Sequence, residues 1–237
     1  EHTGLVHTMT RMVLGSALEQ LQGWRRKGVE LSVAVNVSAR TLQESGIVET
    51  VAELLDATGV PASLLTLELT ESSVMNDVES SMGTLGRLSD LGVSIAVDDF
   101  GTGYSSLSYL SRLPVDMVKI DKSFVQHMGT DAGDAMIVRS TIDLARNLGL
   151  EVVAEGVEDR VTWERLRGLQ ADYAQGYLIS KPLPPPRFFD WLSSYSGELR
   201  SGRPARPTPR TVPGSGTAGL VVLKGDEAAG GHAVPDV

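Results

Sequence analysis

The sequence predicts an α/β protein built as an incomplete TIM-like (β/α)8 barrel. Apolar, β-branched segments of strand length alternate with segments of helical periodicity, which indicates a parallel sheet with right-handed crossovers. Polar residues fall near the carboxyl end of each predicted strand. In a barrel these ends converge on one mouth, whereas an open doubly wound sheet would spread them along an edge. Six strands are recognisable and a barrel of this kind has eight, so we expect the first two strands to be missing from this chain.

The predicted elements are short and are separated by turns that contain glycine or proline. The predicted strands cover residues 31–38, 64–71, 93–100, 116–121, 151–157 and 171–177. The predicted helices cover residues 8–27, 47–58, 78–91, 134–148, 162–169 and 187–194. Gly149 illustrates the alternation, because a helical pattern closes at this glycine and an apolar strand pattern begins directly after it.

Composition excludes several classes of protein. The net charge of −9 argues against binding a nucleic-acid polymer, which needs a basic surface. No apolar run approaches the roughly 20 residues that cross a bilayer, so we expect no membrane segment in this chain. Cysteine is absent, which excludes disulfides and thiolate chemistry and fits a cytoplasmic protein. No histidine falls at the end of a predicted strand, so a histidine-based mechanism is not expected.

The chain divides into a folded part and a tail. Residues 1–195 carry the alternating pattern. Residues 196–237 are rich in glycine, proline and arginine without apolar periodicity, which predicts a disordered tail. A short apolar stretch at residues 219–223 could pair with another strand, and we assign it no function.

Two adjacent aspartates, Asp98 and Asp99, stand where an apolar strand pattern gives way to a glycine-rich loop. Neighbouring strand residues point to opposite faces, so both can reach one site only where the strand ends. They would then hold two divalent cations. The alternative is a solvated turn with a capping aspartate, since clustered carboxylates mark sites only on average.

Three polar side chains interrupt or end the two preceding strand patterns. Glu68 lies among leucines and needs a partner, either a cation or a salt bridge from a neighbouring strand. Glu71 lies at the exit of the same strand, where it could accept hydrogen bonds from a loop or simply face solvent. Asn36 offers an amide oxygen that suits Mg²⁺ or Mn²⁺, or could serve backbone hydrogen bonding alone.

Lys119 is a cation within an apolar strand pattern. It could neutralise acidic ligands or contact a phosphate oxygen, or it could form a structural ion pair with the same carboxylates. Asp121, two residues further, is expected on the same strand face, where it could order Lys119. Glu155 repeats the pattern of Glu68 on a later strand. Taken together, these strand-end residues suit a two-metal hydrolytic centre, with the loop of residues 101–106 as a gate beside it.

Six segments of the chain resemble the EAL domain family in order and spacing. They are NVSARTLQ, LELTES, DDFGTGYSSLSYL, VKIDKSFV, VVAEGVE and AQGYLISKPLP, and the likeness covers roughly residues 1–192. The resemblance implies a (β/α)8 barrel phosphodiesterase that linearises cyclic di-GMP to pGpG with two Mg²⁺ or Mn²⁺ ions. It also implies a homodimer and, in the full-length protein, an upstream sensor or GGDEF-type domain or a membrane anchor.

The resemblance also assigns roles to individual residues. It implies that Asn36, Glu68, Asp98 and Asp99 are metal ligands, and that Lys119 and Glu155 organise the second metal and the attacking water. Glu71 would anchor the loop of residues 99–106, which in this family links the active site to the dimer interface. The residues implied to line the substrate site are Asp121, Gln175, Gly101 and Ser105.

The Glu-Ala-Leu signature that names the family is not found in the 237 residues. We therefore expect the chain to correspond to the part of the domain that follows this signature, without its glutamate ligand. An EAL-like module that binds cyclic di-GMP or a partner domain without hydrolysis is the alternative to an active phosphodiesterase.

Overall fold

The computed structural model describes residues 2–43, 46–75, 78–103, 107–195 and 220–223. Helices and parallel strands alternate along them. The strands are β1 (Ser32–Asn36), β2 (Leu65–Thr70), β3 (Ser94–Phe100), β4 (Met117–Ile120), β5 (Glu151–Ala154), β6 (Tyr173–Ala174) and β7 (Leu220–Leu223). The helices are α1 (His2–Arg25), α2 (Ala39–Gln43), α3 (Ile47–Thr58), α4 (Glu71–Met75), α5 (Val78–Asp90), α6 (Leu107–Leu110), α7 (Lys122–His127), α8 (Ala132–Leu148), α9 (Arg160–Gly168) and α10 (Pro185–Ser194).

The strands form one parallel sheet in the order β6-β5-β4-β3-β2-β1-β7. Strands β1 to β6 follow one another both in sequence and in space, as expected for successive right-handed crossovers. They curl into an incomplete barrel. This confirms the predicted fold class, and all six predicted strands are present, each with shorter bounds than the sequence pattern gave.

The two faces of the sheet have different partners. Side chains on one face pack under the helices and form the main apolar core, in which Val35, Leu67, Ile95 and Val118 are almost fully buried. Residues paired across a parallel ladder share a face, so the registers identify a second row on the opposite, inner face. Its apolar members are Ala96, Met117, Val153 and the partly buried Tyr173, and they form a separate cluster. This cluster fills the inner face below the polar residues at the mouth.

Side-chain caps fix where three of the helices begin. Asp131 accepts hydrogen bonds from the backbone N–H groups of Gly133 and Asp134 at the start of α8, at 2.7 and 3.0 Å. Asp159 accepts from Thr162 N–H at 2.8 Å at the start of α9, and Asp121 accepts from Ser123 N–H at 2.9 Å at the start of α7. Each cap satisfies backbone donors that have no partner inside the helix.

Aromatic side chains join the last helix of the folded part to the first. The rings of Trp24 in α1 and Phe188 in α10 are 4.9 Å apart, and Trp191 lies 5.6 Å from Phe188. Lys27 Nζ lies 4.7 Å from the centre of the Phe189 ring. Because α1 precedes β1 and α10 follows β6, these contacts bring the two ends of the helical layer together.

Several local features differ from the sequence prediction. Four short helices that follow strands or lie in connections were not predicted (α2, α4, α6 and α7), because each is too short for helical periodicity to show. Within the predicted tail, Leu220–Leu223 forms strand β7, and the rest of residues 196–237 lies outside the described residues. None of the helices among the described residues is long and apolar enough to cross a membrane.

Candidate active site

A fully buried lysine, Lys119, lies at the centre of a group of carboxylates on the inner face of the sheet. Its side chain has no exposed area. The Nζ atom forms three ion pairs, at 2.9 Å from Glu68 Oε1, 3.0 Å from Asp98 Oδ1 and 2.7 Å from Glu155 Oε1. The structural ion pair considered for Lys119 and the predicted convergence of these strand-end residues are therefore both present.

The four side chains of this group come from four neighbouring strands. Glu68 belongs to β2, Asp98 to β3 and Lys119 to β4. Glu155 directly follows β5, and its backbone N–H continues the ladder by donating to the carbonyl of Ile120 at 3.1 Å. The residues lie at successive levels of one face, since the ladder pairs Glu68 with Ala96, Asp98 with Thr70 and Lys119 with Val153. The long side chain of Lys119 reaches across these levels to all three carboxylates.

The charges in this group shift one another's ionisation. Burial alone would lower the pKa of Lys119, but the attraction of Glu68, Glu155 and Asp98 outweighs it and raises that pKa above its ordinary value. The ammonium group is therefore charged at neutral pH. Burial raises the pKa of Glu68, and Lys119 offsets only part of that rise. Three carboxylates face one ammonium group, so this cluster of side chains can accept a further positive charge.

Asp98 and Asp99 reach the same region because β3 is irregular at this point. The strand continues to Phe100, so it does not end at the two aspartates as predicted, but its register with β4 shifts between Val97 and Phe100. Asp99 has a positive φ of 55°, a conformation that aspartate adopts more readily than most residues. Burial and the charge of Asp98 raise the pKa of Asp99. The bulge therefore allows two adjacent carboxylates to lie at one site.

Glu71 binds the loop that follows β3. Its side chain is only 2% exposed, so the solvent-facing alternative is wrong. Glu71 Oε2 accepts a hydrogen bond from the Gly101 N–H at 2.9 Å. A Cβ atom at Gly103 would lie 2.7 Å from Glu71 Oε1, which leaves no room for a side chain there. The first residue of α4 thus anchors the start of the glycine-rich loop.

Asn36 and Gln175 end two further strands of the sheet. Asn36 is the last residue of β1, where it pairs with Glu68, and it is exposed. Gln175 follows β6, and its backbone N–H donates to the carbonyl of Ala154 at 2.8 Å. Its Oε1 atom is buried and has no hydrogen-bond partner among the described residues. An unpaired buried amide oxygen is costly, so it is available to a ligand.

One predicted site residue also begins a helix. Strand β4 ends at Ile120, and Asp121, the next residue, is the N-cap of α7. Its carboxylate accepts hydrogen bonds from the N–H and Oγ–H of Ser123. It still contributes negative charge near Asp99, whose pKa it helps to raise. Gly101 lies at the start of the loop, and Ser105 lies outside the described residues.

Two glycines that shape the site were not singled out from the sequence. Gly103 makes room for the Glu71 carboxylate, as described above. Gly176 follows Gln175, and a Cβ atom there would overlap the backbone of Val157. The available signal was the position of each glycine, since Gly176 directly follows the polar Gln175 and Gly103 lies in the glycine-rich loop just after β3, and such glycines often mark a close approach to another segment.

The oxygen atoms around Lys119 suit a divalent cation in their chemistry and charge. Among the described residues, no three acidic or histidine side chains are arranged to hold a metal ion, and three of the carboxylates pair with Lys119. The chemistry and charge nevertheless suit a hard cation. Glu68 Oε2 is buried without a hydrogen-bond partner among the described residues, and carboxylate and amide oxygens are the ligands that Mg²⁺ and Mn²⁺ prefer.

The parallel half-barrel and its acidic mouth define a barrel protein of the class that carries its active site at the carboxyl ends of the strands. Comparison with known sequences identifies the family. The family model described as "EAL domain" matches residues 1–182, and the chain belongs to this family. The resemblance noted from the six sequence segments is thereby confirmed.

Three relatives illustrate the likeness. The chain is 42% identical over 185 residues to the bifunctional diguanylate cyclase/cyclic di-GMP phosphodiesterase MucR of Pseudomonas aeruginosa, covering 78% of this chain and 27% of that protein. It is 40% identical over 196 residues to the cyclic di-GMP phosphodiesterase NbdA of the same organism, covering 82% and 25%. The solved EAL domain of Mycobacterium smegmatis DcpA superimposes with a TM-score of 0.76 at 42% identity, covering 80% of this chain and 86% of that one.

A solved complex of the MucR phosphodiesterase with c-di-GMP gives the same TM-score of 0.76 at 41% identity, covering 79% of this chain and 76% of that chain. The chain spans about a quarter of the length of MucR and NbdA, so the likeness concerns one domain of those larger proteins.

Proposed function

We propose that this chain hydrolyses cyclic di-GMP to linear pGpG with the help of two Mg²⁺ or Mn²⁺ ions. The observation that carries the proposal is the group of three carboxylates around Lys119 at the mouth of the half-barrel. The names of MucR and NbdA support the choice of substrate, since both are called cyclic di-GMP phosphodiesterases and MucR was solved with c-di-GMP.

The proposed cation ligands are the oxygens of Asn36, Glu68, Asp98 and Asp99. Bound divalent cations would lower the pKa of a water molecule and offset the charge that develops on the phosphoryl oxygens. Glu68 and Asp98 are held in place by Lys119, which limits the rearrangement that ligation would need. Asp99 adds a carboxylate that burial and neighbouring negative charge leave poorly compensated.

The remaining residues act on the substrate and the attacking water. Glu155 orients the water through its carboxylate, which Lys119 fixes at 2.7 Å. The water oxygen bonds to phosphorus, the bond from phosphorus to the ribose 3′ oxygen breaks, and that oxygen leaves with a proton. Gln175 offers its buried Oε1 atom to the substrate side of the site. Asp121, Gly101 and Ser105 are proposed to border the bound nucleotide.

The loop anchored by Glu71 is proposed to link this site to a homodimer interface. The hydrogen bond from the Gly101 N–H to Glu71 supports a fixed start of that loop next to the aspartates. A cytoplasmic location agrees with an intracellular second-messenger substrate. An additional domain in the full-length protein, such as the cyclase part that the name of MucR indicates, would supply regulation.

The second candidate is a module that binds cyclic di-GMP without hydrolysing it. The observation that favours it is the arrangement of the carboxylates, three of which already pair with Lys119. A cation would then have to compete with an internal ammonium group for its ligands.

A chromatographic assay for pGpG separates these functions. The 237-residue chain is incubated with cyclic di-GMP and Mn²⁺ or Mg²⁺, beside Glu68→Gln and the control Glu164→Gln, which alters an exposed glutamate of α9. We expect metal-dependent product from the parent and the control, and a loss of at least about 100-fold in Glu68→Gln. Nucleotide binding without any product at saturating metal would establish the second candidate and reject the first.

A further inference from the structure

The two chain segments that carry Lys119 and Glu155 also pack against each other just beyond this ion pair. Lys119 lies in β4, and three residues later Lys122 begins α7. Glu155 directly follows β5, and the next residue, Gly156, lies against α7. The 2.7 Å contact between Lys119 Nζ and Glu155 Oε1 is therefore accompanied by a close approach of the same two segments.

Gly156 leaves no space for a side chain on the side that faces α7. A Cβ atom at this position would lie 2.5 Å from Lys122 Cβ and 3.1 Å from Lys122 Cα. The φ angle of Gly156 is 69°, in the left-handed region that residues with a side chain rarely adopt. The close approach and the backbone conformation thus both require glycine directly after Glu155.

The chain beyond Gly156 is held by further contacts. Val157 is completely buried, and its N–H donates to the carbonyl of Gln175 at 3.0 Å. Its own carbonyl accepts a hydrogen bond from the Leu178 N–H, also at 3.0 Å. Gln126 Nε2, in α7, donates to Glu158 Oε1 at 3.0 Å. Glu155 therefore lies between the end of the β4–β5 ladder and a segment that is fixed to both α7 and the turn after β6.

We propose that Gly156 is a positioning residue for Glu155. It lets the start of α7 pack directly on the peptide after Glu155, which keeps the Glu155 carboxylate on Lys119 and directed at the water that it is proposed to orient. The part of this inference that concerns turnover rests on the proposed function. The placement of Glu155 against Lys119 does not.

A side chain at position 156 should displace the exit of β5 from α7. The atoms that it would meet are the Cα and Cβ of Lys122, which cannot move aside in the way that the end of a flexible side chain can. A displacement of a reacting group by about 1 Å can lower a rate by roughly 100-fold. Because Glu155 is proposed to act on the water, the loss should fall on kcat more than on KM.

Gly149 provides a matched control for Gly156→Ala. It lies at the other end of β5, directly after α8, and has a similar φ of 76°. No atom of the described residues outside its immediate chain neighbours lies within 4 Å of the position that its Cβ would take. Gly149→Ala therefore introduces the unfavourable backbone conformation without the close contact.

Two double variants test the contact itself. Combined with Gly156→Ala, Lys122→Gly removes the Cβ atom that would lie too close, whereas Lys122→Ala retains it. Each double variant is compared with the corresponding single change at Lys122. This comparison separates relief of the close contact from the loss of the Lys122 charge, which both changes share.

Two properties of the 237-residue chain are measured. The proton exchange of the Lys119 ammonium group is followed by ¹⁵N NMR without metal, and Glu155→Gln shows the change that follows loss of the Glu155 carboxylate. The values of kcat and KM are measured for pGpG formation from cyclic di-GMP with Mn²⁺.

In Gly156→Ala we expect the Lys119 ammonium protons to exchange at least about tenfold faster, as in Glu155→Gln. We expect kcat to fall roughly 100-fold while KM changes by less than about threefold. Lys122→Gly should restore both properties in part, and Lys122→Ala should not. Gly149→Ala should leave both as in the parent.

Unchanged ammonium exchange in Gly156→Ala, or equal effects of Lys122→Gly and Lys122→Ala, would overturn the proposal. So would a Gly149→Ala variant that reproduces the changes of Gly156→Ala. If Gly156→Ala does not fold, recovery of a folded chain with slow ammonium exchange by Lys122→Gly alone supports the proposal, and failure of both double variants overturns it. If the parent forms no product, the proposed function fails while the ammonium exchange still decides the role of Gly156.

Discussion

The Nζ atom of Lys119 lies 2.7 Å from Glu155 Oε1 and is completely buried. The same ammonium group is the positive partner of Glu68 and Asp98, so three carboxylates depend on one lysine. A buried ion pair contributes little net stability, but removing one partner leaves the other charges buried without compensation. Lys119 is therefore the residue whose loss should affect the mouth of the half-barrel most.

Replacing Lys119 with methionine tests this dependence. We expect Lys119→Met to lower the free energy of unfolding at pH 7 by roughly 3–5 kcal/mol. Arg139→Met, at an exposed position of α8, should have little effect. Chemical denaturation measures both, and Mn²⁺ should restore more stability to Lys119→Met than to the parent because a cation can replace the ammonium. An unchanged stability of Lys119→Met would contradict this view of the site.

Removing the Glu71 carboxylate should release the glycine-rich loop. Glu71→Ala loses the acceptor for the Gly101 N–H, a charge-assisted bond worth about 1.5–3 kcal/mol. We expect faster hydrogen exchange at Gly101 and a lower turnover number, while the amides of β2 stay protected. A Gly101 amide that remains protected in Glu71→Ala would show that the loop is held by something else.

Gly176 offers a steric test with an internal control. A methyl group at this position would overlap the backbone of Val157, so Gly176→Ala must move two backbone segments beside Gln175. We expect a loss of about 2–4 kcal/mol in the free energy of unfolding. Gly168→Ala, in α9 with open space around it, should instead be neutral or stabilising by up to about 1 kcal/mol. Equal effects of the two changes on the thermal midpoint would refute the close approach at Gly176.

The cap of α9 gives a prediction about pH. Hydrogen bonds from the backbone N–H and the hydroxyl of Thr162 lower the pKa of Asp159 below its ordinary value. A carboxyl group whose pKa is lower in the folded state stabilises the fold above its unfolded pKa, and this contribution is lost as the pH falls through the folded value. Asp159→Asn keeps a capping side chain but does not titrate. The stability difference between parent and Asp159→Asn, measured by denaturation from pH 7 to about pH 3, should therefore shrink as the pH falls. A difference that grows toward low pH would contradict this sign.

The sequence allowed the layout of the domain to be predicted because its signals are local and repeated. Apolar strand patterns located the six strands of the half-barrel, β1 to β6. The meeting of their polar end residues at one mouth followed from the convergence of parallel strands in a barrel. The pairing of Glu68 with Lys119 was foreseen as an alternative, because a glutamate among leucines requires a partner.

Other features depend on contacts that a linear pattern does not contain. The bulge that places Asp98 and Asp99 at one site appears only in the register of β3 with β4. The cap that Asp121 forms at the start of α7 depends on its hydrogen bonds to Ser123, which a strand pattern does not contain. The pairing of β7 with β1 joins residues nearly 190 positions apart, and no local signal specifies such a partner.

Hydrolysis of cyclic di-GMP in ¹⁸O-labelled water tests the central claim most directly. The 237-residue chain is given Mn²⁺ and cyclic di-GMP, and the product is analysed by mass spectrometry. The account predicts pGpG with one ¹⁸O atom in its terminal phosphate, formed only with the divalent cation and abolished in Glu68→Gln. Product without ¹⁸O, or no product from a folded chain that binds Mn²⁺ and cyclic di-GMP, would contradict it.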